Sequence, residues 1–182
     1  GTLVEEWLAR VKRFPREIAV TDAILGSLSQ TKLLSLVLYF RDKIKRQTAG
    51  QDNVGILLPS SAFGVMTNLS VLCLGKTVVN INYTMPIKGL LDSVAASGIK
   101  TLITSSQFVT RLAKKGYDLS ALLEVVTVQN IEEFNTPTTK LAVLMNFIYV
   151  RMLPNWILKR ILFRQTQNTS TAAILFSSGS ES

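Results

Sequence analysis

Five short apolar runs, separated by longer segments with helical periodicity, constrain the fold of this sequence most. The runs are NVGILLP, TVVNINY, KTLITS, EVVTVQ and AAILF. Such runs are typical of strands that are buried on both faces of a parallel sheet. Strands that alternate with helices predict crossover connections and an α/β fold. We therefore predict a mainly parallel sheet with helices on both faces and with strands near residues 54–58, 77–81, 100–104, 124–128 and 172–176.

The intervening segments predict helices with defined ends. Residues 3–13 place Leu3, Trp7, Leu8 and Val11 on one face at helical spacing. The segment EIAVTD that follows predicts a short strand. Small polar residues, glycine and proline at the later junctions predict helix caps and helix ends; these residues are Ser29 or Thr31, Ser60 or Ser61, Gly75, Pro86, Gly98, and Ser105 or Ser106.

Composition excludes several kinds of chemistry. The chain has no histidine, which removes imidazole metal ligands, histidine bases and Ser-His or Cys-His nucleophile systems. Its one cysteine, Cys73, lies in the apolar segment VLCLG, so it predicts a small buried hydrophobe and no internal disulfide. The formal net charge of +8 suits an anionic membrane surface, a phosphorylated ligand or nucleic acid. The basic residues are dispersed and accompany no recognition motif, so we expect no nucleic-acid partner.

Two nucleotide-binding motifs are not supported. The GKT at residues 75–77 lacks the glycine five residues earlier that a P-loop requires, and a predicted helix precedes it. No G-x-G-x-x-G segment is present, so a dinucleotide-binding site is not expected.

The polar residues after the last apolar run form the main candidate site. Successive backbone amides around a glycine hold anions, and serine hydroxyls add hydrogen-bond donors. A phosphate-binding loop is therefore one interpretation, and a mobile polar tail is the other. The candidate residues are Ser177, Ser178, Gly179, Ser180 and Glu181.

Residues 137–165 interrupt the alternation with a long apolar and basic segment. Its longest uncharged run, Leu141–Val150, is about half of the roughly 20 residues that span a bilayer. The segment predicts one or two amphipathic helices, which either bind an anionic membrane surface or pack as a hairpin on the domain. The membrane-facing candidates are Arg151, Trp156, Lys159, Arg160 and Arg164.

The ordered segments VGILLP, GKTVVNINYT, GIKTLITS and AAILFSSGSES resemble the adenylate-forming superfamily of acyl-CoA and acyl-carrier-protein synthetases. SSGSE, at residues 177–181, matches the first five positions of that family's ATP phosphate loop, and Ser182 stands where the family has glycine. The SGSE form, the VNINYT segment and the basic insert are most similar to the acyl-(acyl-carrier-protein) synthetase / 2-acylglycerophosphoethanolamine acyltransferase branch of bacterial membranes. The resemblance covers nearly all of residues 1–182.

The resemblance implies that residues 1–182 are the N-terminal part of an AMP-binding (adenylation) domain, which ends in the phosphate loop and carries residues 137–165 as a helical insert. It implies an ATP-dependent, Mg²⁺-dependent ligase that forms an acyl-adenylate from a fatty acid and passes the acyl group to a carrier protein or CoA. A lysophospholipid is a further expected partner, within fatty-acid and phospholipid metabolism.

The family's later lysine and metal-coordinating glutamate have no counterpart here. We therefore expect no catalytic residue and no metal ligand in these residues, and no turnover from them alone. The expected location is the cytoplasm, at the inner face of the cell membrane. The alternative is a membrane-surface lipid-binding module without catalysis.

Overall fold

The computed structural model describes residues 2–163 and 173–175. These residues form helices and strands in alternation, with one 3-10 helix. The elements in chain order are α1 (Leu3–Arg13), β1 (Ile18–Asp22), β2 (Gly26–Ser29), α2 (Gln30–Gln47), β3 (Asn53–Leu57), α3 (Ala62–Cys73), β4 (Thr77–Asn80), α4 (Ile87–Ser97), β5 (Thr101–Thr104), α5 (Ser106–Lys114), α6 (Ser120–Val125), β6 (Thr127–Asn130), the 3-10 helix (Ile131–Phe134), α7 (Thr139–Met152), α8 (Asn155–Phe163) and β7 (Ala173–Leu175).

Five of the described strands form a parallel sheet in the order β6-β5-β3-β4-β7. The other two, β1 and β2, pair with each other as an antiparallel hairpin. Each of the five predicted strands is present near its predicted position, so the predicted α/β fold with a mainly parallel sheet is confirmed.

Helices cover both faces of the sheet because neighbouring strand residues point to opposite sides. Ile56 packs in a core with side chains of α1, α2, α3, α7 and α8, whereas Leu57 packs in a second core with side chains of α4, α5 and α6. Val78 and Val79 divide between the two cores in the same way. The sheet therefore lies between two helical layers, as the uninterrupted apolar runs predicted.

Several predicted caps are confirmed. The side chains of Ser29, Ser61 and Ser105 accept hydrogen bonds from backbone amides in the first turns of α2, α3 and α5. Gly98 ends α4 with a φ of 63°, a conformation that glycine adopts without a steric cost. These local signals position the helix starts that follow β3 and β5.

Two sequence-based expectations are wrong in detail, and one strand was not predicted. Leu3 is 60% exposed, and Val4 instead joins Leu8 and Val11 on the buried face of α1. The first two residues of the EVVTVQ run belong to α6, so β6 begins only at Thr127. The strand β2 was not predicted, because its sequence GSLS has one apolar residue and no alternation.

The predicted helical insert consists of the two helices α7 and α8. Helix α7 packs against α2, and α8 packs against α1. Val150, Leu158 and Leu162 are buried in the core that contains α1, α2 and α3. Within the described part of the chain, no helix combines the length and the apolar character that crossing a membrane requires.

Candidate functional site

The strand order creates a crevice at the carboxyl edge of the sheet. The chain leaves β3 through α3 towards β4 on one side, and it leaves β5 through α5 and α6 towards β6 on the other side. Because β3 and β5 are neighbours, their following helices diverge onto opposite faces of the sheet. Ligands of open α/β sheets bind at such a switch point, outside the carboxyl ends of the strands.

A cavity of about 1430 Å³ opens at this switch point. Segments that directly follow β3, β5 and β6 line it, together with the last residue of β4, helices α2 and α3 and the tip of the β1–β2 hairpin. Most of the wall is apolar, and its larger side chains include Leu36, Phe40, Leu58, Phe63 and Leu69. The polar side chains lie at the strand ends and include Ser60, Asn80, Ser105, Gln107 and Glu132. The arrangement suits a ligand with an apolar body and one polar end.

A carboxylate already occupies the N-terminus of α3. One oxygen of Asp22 accepts a hydrogen bond from the backbone amide of Ala62 at 2.9 Å. The other oxygen accepts from the amides of Ile24 at 2.7 Å and Leu25 at 3.0 Å. The bond from Ala62, followed by those from Leu25 and Ile24, holds the pKa of Asp22 below its ordinary value. Asp22 thereby fastens the tip of the β1–β2 hairpin to the crevice wall.

A second carboxylate occupies the N-terminus of α5. Glu132 accepts a hydrogen bond from the hydroxyl of Ser105 at 2.6 Å and a longer one from the amide of Ser106 at 3.3 Å. Partial burial raises the pKa of Glu132, but the hydrogen bonds from Ser105, Ser106 and Gln107 outweigh burial and bring this pKa below its ordinary value. The N-termini of α3 and α5 are therefore satisfied by the protein itself and do not present a phosphate site.

A pair of amides lies where β4 ends. The side-chain amide of Asn80 donates to the side-chain oxygen of Asn68 at 3.2 Å, and Asn68 donates to the carbonyl oxygen of Gly64 at 2.8 Å. Asn80 also pairs in register with Leu175, the last residue of β7. The strand that leads into the predicted phosphate loop therefore ends beside a residue that lines the crevice.

The predicted site residues divide into those that the structure places and those that lie outside it. Ser177, Ser178, Gly179, Ser180 and Glu181 fall outside the described residues, as does Arg164. Arg151, Trp156 and Arg160 are exposed on α7 and α8, and Lys159 is partly exposed. None of these four lines the crevice.

Sequence reasoning missed Asp22 and Glu132. The only local signal for Asp22 is its position at the start of a turn that Gly26 closes with a φ of 66°. Glu132 has no such signal. Its partners lie at the start of α5, and α6 and β6 separate α5 from Glu132 in the chain. Within residues 2–163 and 173–175, no three acidic or cysteine side chains converge on a point where they would hold a metal ion.

The fold and the crevice define a doubly wound α/β protein with a ligand site at the carboxyl edge of its sheet. The family model described as "AMP-binding enzyme" matches residues 7–182. Because the match spans nearly the whole sequence, the chain belongs to the AMP-binding enzyme family.

Solved structures with the same fold include three kinds of protein. o-Succinylbenzoate CoA synthetase (MenE) from Bacillus subtilis, in complex with ATP and magnesium ion, is 23% identical with a TM-score of 0.58, over 70% of this chain and 33% of that chain. VinN is 19% identical with a TM-score of 0.60, over 82% of this chain and 37% of that chain. The nonribosomal peptide synthetase FmoA3, in its α-methyl-L-serine-AMP-bound form, is 20% identical with a TM-score of 0.57, over 75% of this chain and 15% of that chain. This chain therefore spans 15–37% of the length of these three structures.

Proposed function

We propose that this chain is the N-terminal part of the adenylation domain of a fatty-acid-activating ligase. The observation that carries the proposal is the largely apolar crevice at the carboxyl edge of the sheet, beside the end of β7. A hydrocarbon chain gains about 0.8 kcal/mol for each methylene that leaves water. A crevice lined by Phe40, Leu58 and Phe63 therefore suits an aliphatic acid better than a polar amino acid.

The proposed reaction has two steps. A carboxylate oxygen of the fatty acid attacks the α-phosphorus of ATP, and the bond to pyrophosphate breaks, which leaves an acyl-adenylate. A thiolate then attacks the acyl carbon, and AMP leaves with the electrons of the mixed-anhydride bond. We assign the phosphates to residues 177–181, whose serine hydroxyls and Gly179 amide provide donors for the developing charge. Mg²⁺ supplies further charge neutralisation when it is bound.

The thiol acceptor and the branch of the family belong to the same proposal. The SGSE form of the loop, the VNINYT segment and the helical insert favour the acyl-(acyl-carrier-protein) synthetase / 2-acylglycerophosphoethanolamine acyltransferase branch. The acceptor is then the thiol of a carrier protein, with CoA as the alternative thiol and a lysophospholipid as the final acyl acceptor.

Carboxylate-dependent exchange of pyrophosphate into ATP, measured on the full-length protein, tests the first step. We expect exchange with aliphatic acids and none with amino acids. Leu58→Trp narrows the crevice, so KM should rise more for long acids than for short ones. Val125→Trp, on the exposed side of α6, is the matched control and should change neither the KM for long acids nor the KM for short acids.

Exchange with amino acids alone would contradict the fatty-acid substrate. Exchange with no carboxylate would favour the membrane-surface module without catalysis. Transfer of the acyl group from the acyl-adenylate is measured separately with a phosphopantetheinylated carrier protein and with CoA. Equal rates of transfer to the two thiols would contradict the carrier protein as the proposed acceptor.

A further inference from the structure

The outward side of α7 and α8 is an apolar surface with no partner among the described residues. Leu141, Met145, Ile148 and Met152 follow one another at spacings of three or four residues, so they form a single stripe along α7. Trp156 continues it on α8. All five are exposed, Met152 by 77% and Trp156 by 66%. We call this stripe the hairpin face.

Helix α7 cannot rotate to bury this stripe, because its other side is fixed to the domain. Asn146 donates a hydrogen bond to the carbonyl oxygen of Ser35 at 3.2 Å, and Thr139 lies 2.7 Å from the hydroxyl of Tyr39. Val150 is buried in the core. Helix α7 thus has apolar residues on two opposite sides. Helices of this kind are usually buried against a partner on each of those sides.

The charged residues of α7 and α8 themselves all have one sign. Residues 137–163 contain no aspartate and no glutamate. Lys140 and Arg151 are eleven residues apart on α7, so they flank the same edge of the stripe. Lys159 and Arg160 stand beside Trp156 on α8. A partner that matches this surface is apolar inside and negatively charged at its boundary.

An apolar groove adjoins the hairpin face. It lies between α2 and α7, has a volume of about 410 Å³ and is lined mainly by Leu28, Leu36, Val143, Leu144 and Phe147. Lys32 and Lys140 also line it, and no acidic residue does. Leu144 lines the groove and lies one helical turn from Leu141 and Ile148 of the stripe, so the two apolar surfaces adjoin, with Lys140 at their boundary.

We infer that the hairpin face docks on an anionic lipid bilayer, with α7 and α8 lying in the plane of the interface. Helix α7 has 14 residues and is about 21 Å long, shorter than the roughly 30 Å hydrocarbon core. Apolar side chains of such a helix enter the boundary of the acyl chains, while lysine and arginine remain near the phosphates. Self-pairing of two hairpin faces is disfavoured because it would bring like charges together. The inference does not depend on the proposed activity.

Tryptophan fluorescence provides a direct test. Trp7 donates a hydrogen bond to Gln30 inside the domain. Trp7→Phe leaves Trp156 as the only tryptophan of residues 1–182, and any tryptophan outside these residues is replaced by phenylalanine as well. We expect the emission of Trp156 to shift to shorter wavelength with phosphatidylglycerol vesicles and to remain unchanged with phosphatidylcholine vesicles. The shift should diminish as salt rises from 0.05 to 0.5 M, because salt screens surface charge.

Two fourfold variants separate local from total charge. Replacing Lys140, Arg151, Lys159 and Arg160 with serine should weaken vesicle partitioning about a hundredfold or more. The matched control, Lys88, Lys100, Lys114 and Lys115 to serine, changes net charge equally and lies on elements of the opposite layer and its loops. It should retain most of the binding.

Three outcomes would overturn the inference. The first is equal loss of binding in both fourfold variants, which would mean that total charge and not this face attracts the bilayer. The second is the absence of any Trp156 shift in the full-length protein, which would mean that another part of the protein covers the face. The third is dimerisation in sedimentation equilibrium that Met152→Ser and Trp156→Ser abolish, which would identify a second copy as the partner.

Discussion

The ammonium nitrogen of Lys12 lies 2.6 Å from the carbonyl oxygen of Val150 and so ties the first helix to the last turn of α7. The same nitrogen is 2.5 Å from the carbonyl oxygen of Leu153. Carbonyls at a helix C-terminus have no partner within the helix, and Lys12 supplies one. Burial, together with repulsion from Arg151, lowers the pKa of Lys12.

Lys12→Met should lower the free energy of unfolding by about 2 kcal/mol, because two carbonyls lose a charged donor. Urea unfolding at pH 7 measures the loss. Lys45→Met, on the exposed end of α2, is the control and should change stability by less than about 0.5 kcal/mol. Equal losses in the two variants would show that the bonds of Lys12 contribute nothing specific.

Glu132→Gln should destabilise the protein by about 1 kcal/mol at pH 7, since it removes the negative charge at the N-terminus of α5. The pKa of Glu132 is lower in the folded state than in the unfolded state, so its contribution is complete above about pH 4.3. That contribution disappears as pH falls through the folded-state pKa. Urea unfolding from pH 7 downwards should show the difference between the two proteins shrinking as pH falls below about 4.3.

The exposed Glu124 is the control for this substitution. At pH 7, Glu124→Gln should change the free energy of unfolding by less than about 0.5 kcal/mol. A Glu132→Gln difference that stayed constant as pH fell below about 4.3 would mean that the amide loses packing rather than charge.

Two glycine-to-alanine variants should have opposite effects. A Cβ at Gly64 would lie 2.7 Å from the backbone oxygen of Pro59, which cannot move without distorting the crevice wall. Gly64→Ala should therefore cost about 1–3 kcal/mol. A Cβ at Gly89 would meet only the flexible end of Met85, at 3.2 Å, so Gly89→Ala should be neutral or stabilising by up to about 1 kcal/mol. Thermal unfolding measures both variants. Midpoint temperatures that fall by similar amounts in the two variants would refute this distinction.

Cys73 should be unreactive in the folded protein. Burial raises the pKa of its thiol to about 12, with Arg41 acting in the opposite direction, and the thiolate is the reactive form. An aromatic disulfide reagent at pH 8 should modify Cys73 at a rate that follows the unfolded fraction across a urea titration. Rapid, complete modification without denaturant would show that the segment around Cys73 opens on its own.

The sheet was predictable because each of its strands carries a local signal. Val78 and Val79 are adjacent apolar residues that pack in different cores, which is the pattern of a strand buried on both faces. The strand order is not a local property, and the crevice arises from that order. Asp22 and Glu132 were missed for the same reason, since each caps a helix that begins far from it in sequence. The roles of residues 177–181 and Arg164 stay predictions.

The parallel pairing of β7 with β4 has a consequence for biosynthesis. Asn80 meets its partner Leu175 only after the entire α4–α8 region has left the ribosome. Until then, Val78, Val79 and Asn80 lack their β7 partners at the outer edge of β4. Open edges of this kind recruit other chains, and long-range pairings form slowly. Nascent chains that stall between these two residues are therefore the species that most need a chaperone.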